Sequence, residues 1–586
     1  MIILRKLPVT QLLYCVLCIA LWFPVTASSQ QVKVQIKGVE GNRLDNVKSY
    51  LQIANMDSAR SYRPYQIRYL HRQAAKEIKL ALQPFGYYQT EVSSSLKQES
   101  DSTWQATYNI SLNDPVIIDE NQWVIDGDAE TDEQLTAVIK KGQVKTGRVF
   151  HHGEYEKQKS ALLSRAIQRG YHQADFKRTQ VIVDKEQNSA AVQVVLNSGP
   201  RYYFGELDIS SSHLQDDLIR RYARFDVGEP YMTSELSKFQ VDLSNSDYFS
   251  EVQIVSDWKN ANANNQVPVR VETSANKKTH YRFGAGYGTD TGVRLTAGLD
   301  RRWVNNRGHQ FRSAVQLAQY ESRATAIYHI PGEKPQMDYH QLRTEIGNKD
   351  NESVNSQVYR VAALDVFTYD RWQREYDLSW FHEDFTVGIQ NDRSEFLVPG
   401  VKWRYLSSDQ RINVVNGWRI SFGLRAAAGG LLSDADMVQG NIKFKSVWTL
   451  SERWRLLSRA EAGATYIDNF YRLPPSLRFF AGGDNSVRGY AYEQLGPEDP
   501  SQAVIGGRYL AVASAEFDYR IADSWRLAVF SDIGNTMIEP NQDLKQSIGF
   551  GLRWLSPVGA IRLDLAQAID EPGNPWRLHF TLGPDL

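Results

Sequence analysis

Cysteine is almost absent from this 586-residue chain, and the only two, Cys15 and Cys18, fall within the first twenty residues. Methionine is nearly as scarce, 6 residues against 30 tyrosines, which skews the apolar content toward aromatic rings. Past the N-terminus no stretch offers eighteen consecutive apolar residues, which excludes membrane-spanning helices. An excess of either charge is missing too: 67 Lys and Arg meet 68 Asp and Glu, for a formal net charge of -1. That balance excludes a chain-wide basic surface for nucleic acid and an acidic disordered tail. A hydrophobic content of 42% excludes wholesale disorder. At roughly 100 to 200 residues per domain, the length implies several units.

The N-terminus accounts for the cysteines. Arg5 and Lys6 precede an uncharged apolar run from Leu12 to Phe23, and Val25-Thr26-Ala27 supplies the small residues that a signal peptidase reads. Residues 1–27 are therefore expected to be a signal peptide, too short for a comfortable membrane span. Tyr14 and Leu17 are too large to precede a lipidated cysteine. Cleavage after Ala27 would leave no cysteine, so the exported chain would be held together by a large core or by a membrane instead of disulfides. Two classes remain, a soluble exported protein and a β-barrel.

From about 30 to 275 strand-like and helix-like segments alternate, and a short signature recurs. Gln83-Pro84-Phe85-Gly86-Tyr87-Tyr88, Gln168-Arg169-Gly170-Tyr171-His172 and Asn245-Ser246-Asp247-Tyr248-Phe249 each end a helical pattern and precede a strand, at Thr90 to Leu96, Ala174 to Ile182 and Val252 to Val255. The spacing is 84 and then 77 residues, an internal repeat of about eighty. Ile67, Leu70, Ala74, Ile78 and Ala81 form one apolar helical stripe, and Tyr155, Leu162, Leu163, Ala166 and Ile167 form a second. Gly86 and Gly170 stand where a left-handed C-cap belongs, and Asp247 is among the few other residues that tolerate that conformation. Alternating runs such as Trp104 to Ile110 and Ala191 to Leu196 follow, so each unit is expected to lay its helix on a small mixed sheet.

Beyond about 278 the period becomes two. Tyr281, Phe283, Ala285 and Tyr287 alternate with Arg282, Gly284 and Gly286; Ile548, Phe550, Leu552 and Trp554 face opposite Ser547, Gly549, Gly551 and Arg553. A soluble sandwich buries its apolar parity, whereas a membrane barrel turns it to lipid and its charges to the lumen, so alternation leaves both open. Strand number and end aromatics favour the barrel. Sixteen strands are expected, starting near 280, 292, 308, 322, 338, 355, 371, 396, 417, 440, 454, 508, 525, 545, 559 and 575, an even number with many segments of about nine to thirteen residues. Trp303, Trp372, Trp380, Trp403, Trp454, Trp525, Trp554 and Trp576 sit at strand ends, as interfacial girdles do.

The longest connection of this half, 467–507, contains Phe479-Phe480-Ala481-Gly482-Gly483-Asp484-Asn485-Ser486-Val487-Arg488-Gly489-Tyr490. A loop of that length in a compact barrel is usually functional. Its glycines could display Arg488 at a folded tip; the bland alternative is a solvated surface arginine. Parity puts Glu516 on the face of Arg508, Asp518 and Arg520, and puts Asp532 inward on the next strand. A loop folding inward could therefore satisfy two carboxylates with one planar guanidinium.

The Val-Arg-Gly-Tyr loop, the Phe-x-Asp-x-Gly strand at Phe530 to Gly534 and the closing run Gly549-x-Gly551-Leu552-Arg553-Trp554-x-Ser556-Pro557-Val558-Gly559 together resemble the BamA/TamA superfamily of outer-membrane assembly and secretion barrels. The eighty-residue units look like its periplasmic POTRA domains, and three of them before sixteen strands look most like the TamA branch. The resemblance implies α+β POTRA repeats at 28–112, 113–200 and 201–275, then a 16-stranded antiparallel transmembrane β-barrel at 276–586. In its terms Arg488, flanked by Val487, Gly489 and Tyr490, corresponds to the loop arginine that contacts the inner wall, Asp532 to its principal acidic partner and Glu516 to a second. It also implies a TamB-like inner-membrane-anchored periplasmic partner, unfolded outer-membrane or autotransporter substrates, and a bacterial outer-membrane location with the POTRA domains in the periplasm. The C-terminus departs from the family habit of an aromatic close to the end, since Phe580 is followed by Thr581-Leu582-Gly583-Pro584-Asp585-Leu586.

A lateral seam is expected between the first strand, weakened by Gly284, Gly286 and Gly288, and the last, which carries Leu578 and Phe580 and is interrupted by Gly583 and Pro584. An opened seam would template an incoming strand. The alternatives are a two-partner secretion-type transporter and a passive outer-membrane pore. No catalytic site, metal or cofactor is expected. There is no Gly-x-Ser-x-Gly elbow, His382-Glu383 lacks a second zinc histidine, His151 and His152 point apart, and Gly284-x-Gly286-x-Gly288 opens no helix. Glu461, Glu516 and Asp532 interleave with Arg459, Arg508, Arg520 and Arg526, which favours structural ion pairs over an acid and base pair.

Overall fold

A computed structural model describes residues 31–57, 60, 62–210, 212–290, 292–408, 414–556 and 559–583. The expected signal peptide, Pro557, Val558 and Pro584 lie outside these residues. The chain divides into two compact units, the first running through Gly205 with Val227–Ser234 and Trp258–Val267, the second taking the remainder.

Three small sheets come first, each built in the order strand, helix, helix, strand, strand. The first unit of this kind has β1 (Gln31–Lys37), α1 (Gly41–Tyr50), α2 (Pro64–Leu82), β2 (Glu91–Gln98) and β3 (Thr103–Ser111). β3 lies between a parallel β1 and an antiparallel β2, the mixed sheet expected from the sequence. β4 (Ile117–Asp126), α3 (Glu133–Lys141), α4 (His152–Gln168), β5 (Asp175–Asp184) and β6 (Ser189–Asn197) repeat the plan with strand order β4-β6-β5. β7 (Tyr203–Ile209), α5 (Asp216–Arg221), α6 (Thr233–Ser244), β8 (Phe249–Ser256) and β9 (Gln266–Ala275) do so again.

Side-chain periodicity explains the packing. Ile67, Ala74, Ile78 and Ala81 of α2 are fully buried against Trp104, Ala106 and Tyr108 of β3, with Leu70 partly buried beside them. The α4 stripe is Tyr155, Leu162 and Ala166, while Ile167 turns outward. Gly86, Gly170 and Asp247 have φ of 89°, 90° and 66°, the left-handed conformation expected of all three. His151 caps α4, its Nδ1 accepting the Glu154 N–H.

The barrel is one sheet of sixteen strands in sequence order: β10 (Thr279–Gly288), β11 (Gly292–Arg301), β12 (Gln310–Ala318), β13 (Glu321–Pro331), β14 (Asp338–Asp350), β15 (Val354–Tyr369), β16 (Trp372–Val387), β17 (Gln390–Leu406), β18 (Gly417–Ala427), β19 (Met437–Thr449), β20 (Trp454–Ile467), β21 (Tyr509–Ala522), β22 (Trp525–Met537), β23 (Lys545–Ser556), β24 (Gly559–Ala568) and β25 (Trp576–Gly583). β15, β16 and β17 reach 16, 16 and 17 residues, longer than expected, because their inner ends carry Val354, Phe381, Phe385, Phe396 and Val398 onto an apolar cluster with the long loop.

The apolar parity faces out. Phe283 (82% exposed), Leu295, Leu317, Ile346, Val529 and Phe550 would be buried in a sandwich, but here they line the outer surface, which decides for a membrane barrel. Trp372, Trp403, Trp454, Trp525, Trp554 and Trp576 are exposed as girdle residues should be. Two expected girdle residues differ: Trp380 donates to Glu395 Oε1 (2.6 Å), and Trp303 packs on His213 with ring centroids 4.2 Å apart. The lumen holds a cavity of about 690 Å3 bordered by Arg343, Arg360, Glu375, Asp377 and Arg425.

The sheet begins at β10 and ends at β25, and among the described residues no ladder joins these two. Gly583 does not interrupt β25 as expected; it pairs with Ala560 of β24, because the antiparallel register accepts a glycine there.

One buried carboxylate sets a pH limit on the second repeat. Asp132 caps α3 by accepting the Gln134 and Leu135 N–H groups (2.9 and 3.4 Å), and also receives Arg169 Nε (2.8 Å) and Tyr171 OH (3.2 Å). Burial alone would raise its pKa, but the Arg169 and backbone hydrogen bonds hold it below the ordinary carboxylate range. The group is charged in the fold at a pH where the unfolded chain would protonate it. Its stabilisation is thus present above pH about 4 and lost as pH falls through the depressed value. Asp132→Ala should speed hydrogen exchange of 133–141 at neutral pH, at a cost of about 1–2 kcal/mol. The same substitution should flatten the dependence of that exchange on pH below 4.

Candidate functional site

The loop between β20 and β21 enters the lumen. Phe470, Leu473, Leu477 and Ile505 bury against the inner faces of β15 to β17 and β19, and Val487, Tyr490 and Leu495 bury against Leu510, Val512 and Ala568. The first group anchors the two ends of the loop, and the second flanks its centre, which polar contacts position.

Arg488 lies at its centre, 4% exposed. Its Nε and Nη2 form a fork on Asp532, 2.8 Å to Oδ2 and 2.9 Å to Oδ1. Nη1 donates to Glu516 Oε2 (2.6 Å) and Asp564 Oδ2 (3.2 Å), and Nη2 also reaches Ser514 Oγ (3.3 Å). The backbone N–H of Arg488 makes a third bond to Asp532, at 3.0 Å. All five guanidinium N–H groups therefore have acceptors, a demand that only a planar donor fork meets. The Phe530 ring closes one face, with Arg488 Cζ 3.3 Å from its centroid.

The carboxylates are shared with two more arginines. Arg553 donates from Nε to Glu516 Oε1 (3.0 Å) and from Nη1 to Asp564, and Arg459 Nη2 reaches Asp532 Oδ2 (3.2 Å). Three guanidinium groups thus balance Glu516, Asp532 and Asp564, which is what allows burial of so much charge. Arg455 and Asp518 pair alongside at 2.6 Å.

Glycines make room for this cluster. A Cβ on Gly549 would strike the Phe530 ring, and one on Gly551 would strike the Asp564 and Arg553 side chains. Gly489, with φ of 95°, brings the loop against the backbone of Gln567 and Ala568, where Tyr490 OH donates to Gln546 O (3.1 Å).

The structure brings Val487, Arg488, Gly489, Tyr490, Glu516 and Asp532 together. Gly284, Gly286 and Gly288 lie apart from Arg488, on β10 at one end of the sheet, and Leu578 and Phe580 on β25 at the other. Sequence reasoning placed Arg459 among the ion-pairing lumen arginines but missed Asp564 and Arg553 as members of the cluster, although both lie on an inward parity. It also missed Thr289, Asp290, Asp484 and His579, which meet where the loop touches the sheet's two ends. Glu461 pairs with Lys443 across β19 and β20, a structural ion pair at 2.5 Å.

This is a sixteen-stranded barrel with an inward-folded arginine loop and small mixed α/β units before it. Residues 219–585 match the Omp85 superfamily domain, and residues 33–112 match POTRA domain TamA domain 1. The chain belongs to the Omp85 superfamily. It is an outer-membrane barrel whose N-terminal units face the periplasm. Among curated relatives it is 21% identical over 481 residues to the outer membrane protein assembly factor BamA of Nitratidesulfovibrio vulgaris, covering 78% of this chain and 60% of that one. BamA of Neisseria meningitidis is also 21% identical, with coverage of 78% and 70%. The chain thus spans about 60% of the length of the first of these relatives. The crystal structure of Haemophilus ducreyi BamA lacking POTRA domains 1–3 superimposes with a TM-score of 0.65 at 18% identity, covering 80% of this chain and 98% of that one, a likeness of fold.

Arg488→Ala would leave three carboxylates facing each other with two arginines between them, a loss of about 3–5 kcal/mol. Arg488→Lys keeps the charge without the fork and should recover only part of that loss. Heat-modifiable mobility in gels reads the effect: the folded form should convert at a lower temperature in the order wild type, Lys, Ala. An unchanged conversion temperature for Ala would contradict the cluster's role in holding the loop.

Proposed function

We propose that this chain is a TamA-type translocation and assembly factor, which inserts or secretes β-barrel and autotransporter proteins through a lateral seam between β10 and β25. The observation that carries this reading is the sheet that starts at β10 and stops at β25 with, among the described residues, no ladder between them. Backbone groups left unpaired at that edge cannot be satisfied by lipid, so they favour an added strand. Gly284, Gly286 and Gly288 on one side, and Leu578 and Phe580 on the other, line the entry. Val487, Arg488, Gly489, Tyr490, Glu516 and Asp532 hold the loop that fixes the neighbouring wall.

The TamA assignment is supported by the match of the first repeat to a TamA POTRA domain. With it come POTRA units at 28–112, 113–200 and 201–275, a barrel at 276–586 and a TamB-like inner-membrane-anchored partner. The repeats hand over segments by strand addition at their sheet edges. The chain performs no bond chemistry; burial of the substrate's apolar face in the bilayer and completion of its hydrogen bonds supply the driving force.

Cysteine pairs joining 284–288 to 578–582 test this reading, since the only native cysteines lie at 15 and 18. Oxidation should stop the appearance of particular folded outer-membrane proteins to the extent seen in a deletion strain, and reduction should restore it. Undiminished assembly with the seam locked would rule the mechanism out.

A further inference from the structure

The ends of the barrel sheet meet through side chains. In β25 the Phe580 N–H donates to Thr289 Oγ1 (3.1 Å), in the turn that follows β10. The Thr289 hydroxyl donates to the Asp484 carboxylate, 2.9 Å from Oδ1 and 3.0 Å from Oδ2. Asp484 belongs to the lumen loop, and its own backbone N–H donates to Asp290 Oδ2 (2.7 Å) in the same turn as Thr289. His579, the inward neighbour of Phe580, closes the circuit: Nδ1 lies 2.6 Å from Asp484 Oδ1, and Nε2 lies 2.8 Å from the Gly489 N. An amide N–H can only donate, so Nε2 accepts and Nδ1 carries the proton that Asp484 receives. The His579 and Asp484 side chains are 2% and 5% exposed.

We propose that His579 and Asp484 are positioning residues for the seam: they tie the last strand to the first hairpin through the loop, so that the seam cannot open while the loop holds both. The inference rests on the seam reading given above. Its physical basis is the placement of Arg488 between two residues that both bond His579. Asp484 and Gly489 hold the segment to β25, and Arg488 holds it to the wall through Asp532. β25 therefore leaves β10 only when the Phe580 to Thr289 bond breaks and the loop lets go either of the Thr289–Asp290 turn or of His579. A latch of a few hydrogen bonds also yields more readily than a full ladder, as a seam that must open requires. The Asp290 and Asp484 carboxylates also approach within 4.8 Å of each other, and like charges this close weaken it further.

Asp290, Asp484 and His579 place one ligand atom each within 4.8 Å of the others, a spacing a metal ion could use. The Gly489 N–H argues for the proton instead, because a metal on Nδ1 would require a proton on Nε2, where that N–H already points.

Hydrogen exchange of the full-length protein in lipid bilayers tests the latch with no substrate or partner present, so its result is separate from that of the assembly reading. Thr289→Val, a near-isosteric loss of one hydroxyl, and His579→Ala should each speed exchange in 279–289 and 576–583 by about three- to ten-fold. His579→Asn keeps a donor near the Nδ1 position and removes the Nε2 acceptor, so it should free 485–490 more than the strands. Asp290→Asn relieves the carboxylate pair and should slow exchange at the seam. Wild-type rates in both Thr289→Val and His579→Ala would overturn the proposal, as would a seam in the wild-type protein that loosens when a divalent-cation chelator is added. Should His579→Ala fail to fold, Thr289→Val decides alone.

Discussion

One guanidinium, enclosed by Asp532, Glu516 and Asp564 and capped by the Phe530 ring, fixes what the rest of the barrel can do. A connection of some forty residues cannot be ordered inside a wet lumen by exposed ion pairs, each worth about 0–1 kcal/mol. It is ordered here because apolar anchors around Phe470 and Leu477, and Val487 and Tyr490 on either side of Arg488, bury against the inner wall. In that sheltered space the charges must balance, and Arg459 and Arg553 provide the balance. The glycines of the closing run follow from the same constraint, since Gly549 and Gly551 are where the ring and the ion pair need room.

The second constraint is the bilayer. A barrel abolishes sheet edges, and the hydrocarbon penalises any that remain. Among the described residues β10 and β25 share no ladder and are bridged by Thr289, Asp484 and His579. The loop thus serves the strong wall at β21 to β24 and the weak join at the sheet's ends within one short segment. Strength on one side and weakness on the other is the asymmetry that a lateral gate needs.

Most of the architecture was legible in the sequence, because its two halves obey different periods. The period of 3.6 in Ile67 to Ala81 and the period of two in Ile548 to Trp554 report directly on which face each element buries. Gly86, Gly170 and Asp247 marked the repeat because a left-handed cap restricts the residue type. The first helices of the repeats were not legible: α1, α3 and α5 have 10, 9 and 6 residues, too short to carry a stripe of their own. At the site, parity placed Glu516 and Asp532 on adjacent strands, and the flanking glycines pointed to Arg488 in the loop beside them. Asp564 and Arg553 lie on strands further round the wall, and His579 meets Asp484 across 95 residues. Parity fixes a face, not the height at which two inward side chains meet, and a loop's path through a lumen has no sequence period.

The central claim, that the Arg488 and Asp532 pair holds the loop in the barrel, is tested most directly by a double-mutant cycle. Arg488→Ala, Asp532→Ala and the double variant would be compared by hydrogen exchange of 479–490 in the full chain. The account predicts a coupling energy of about 3 kcal/mol, with the double variant no more open than either single one. Additive effects, or a loop still protected in Arg488→Ala, would contradict it.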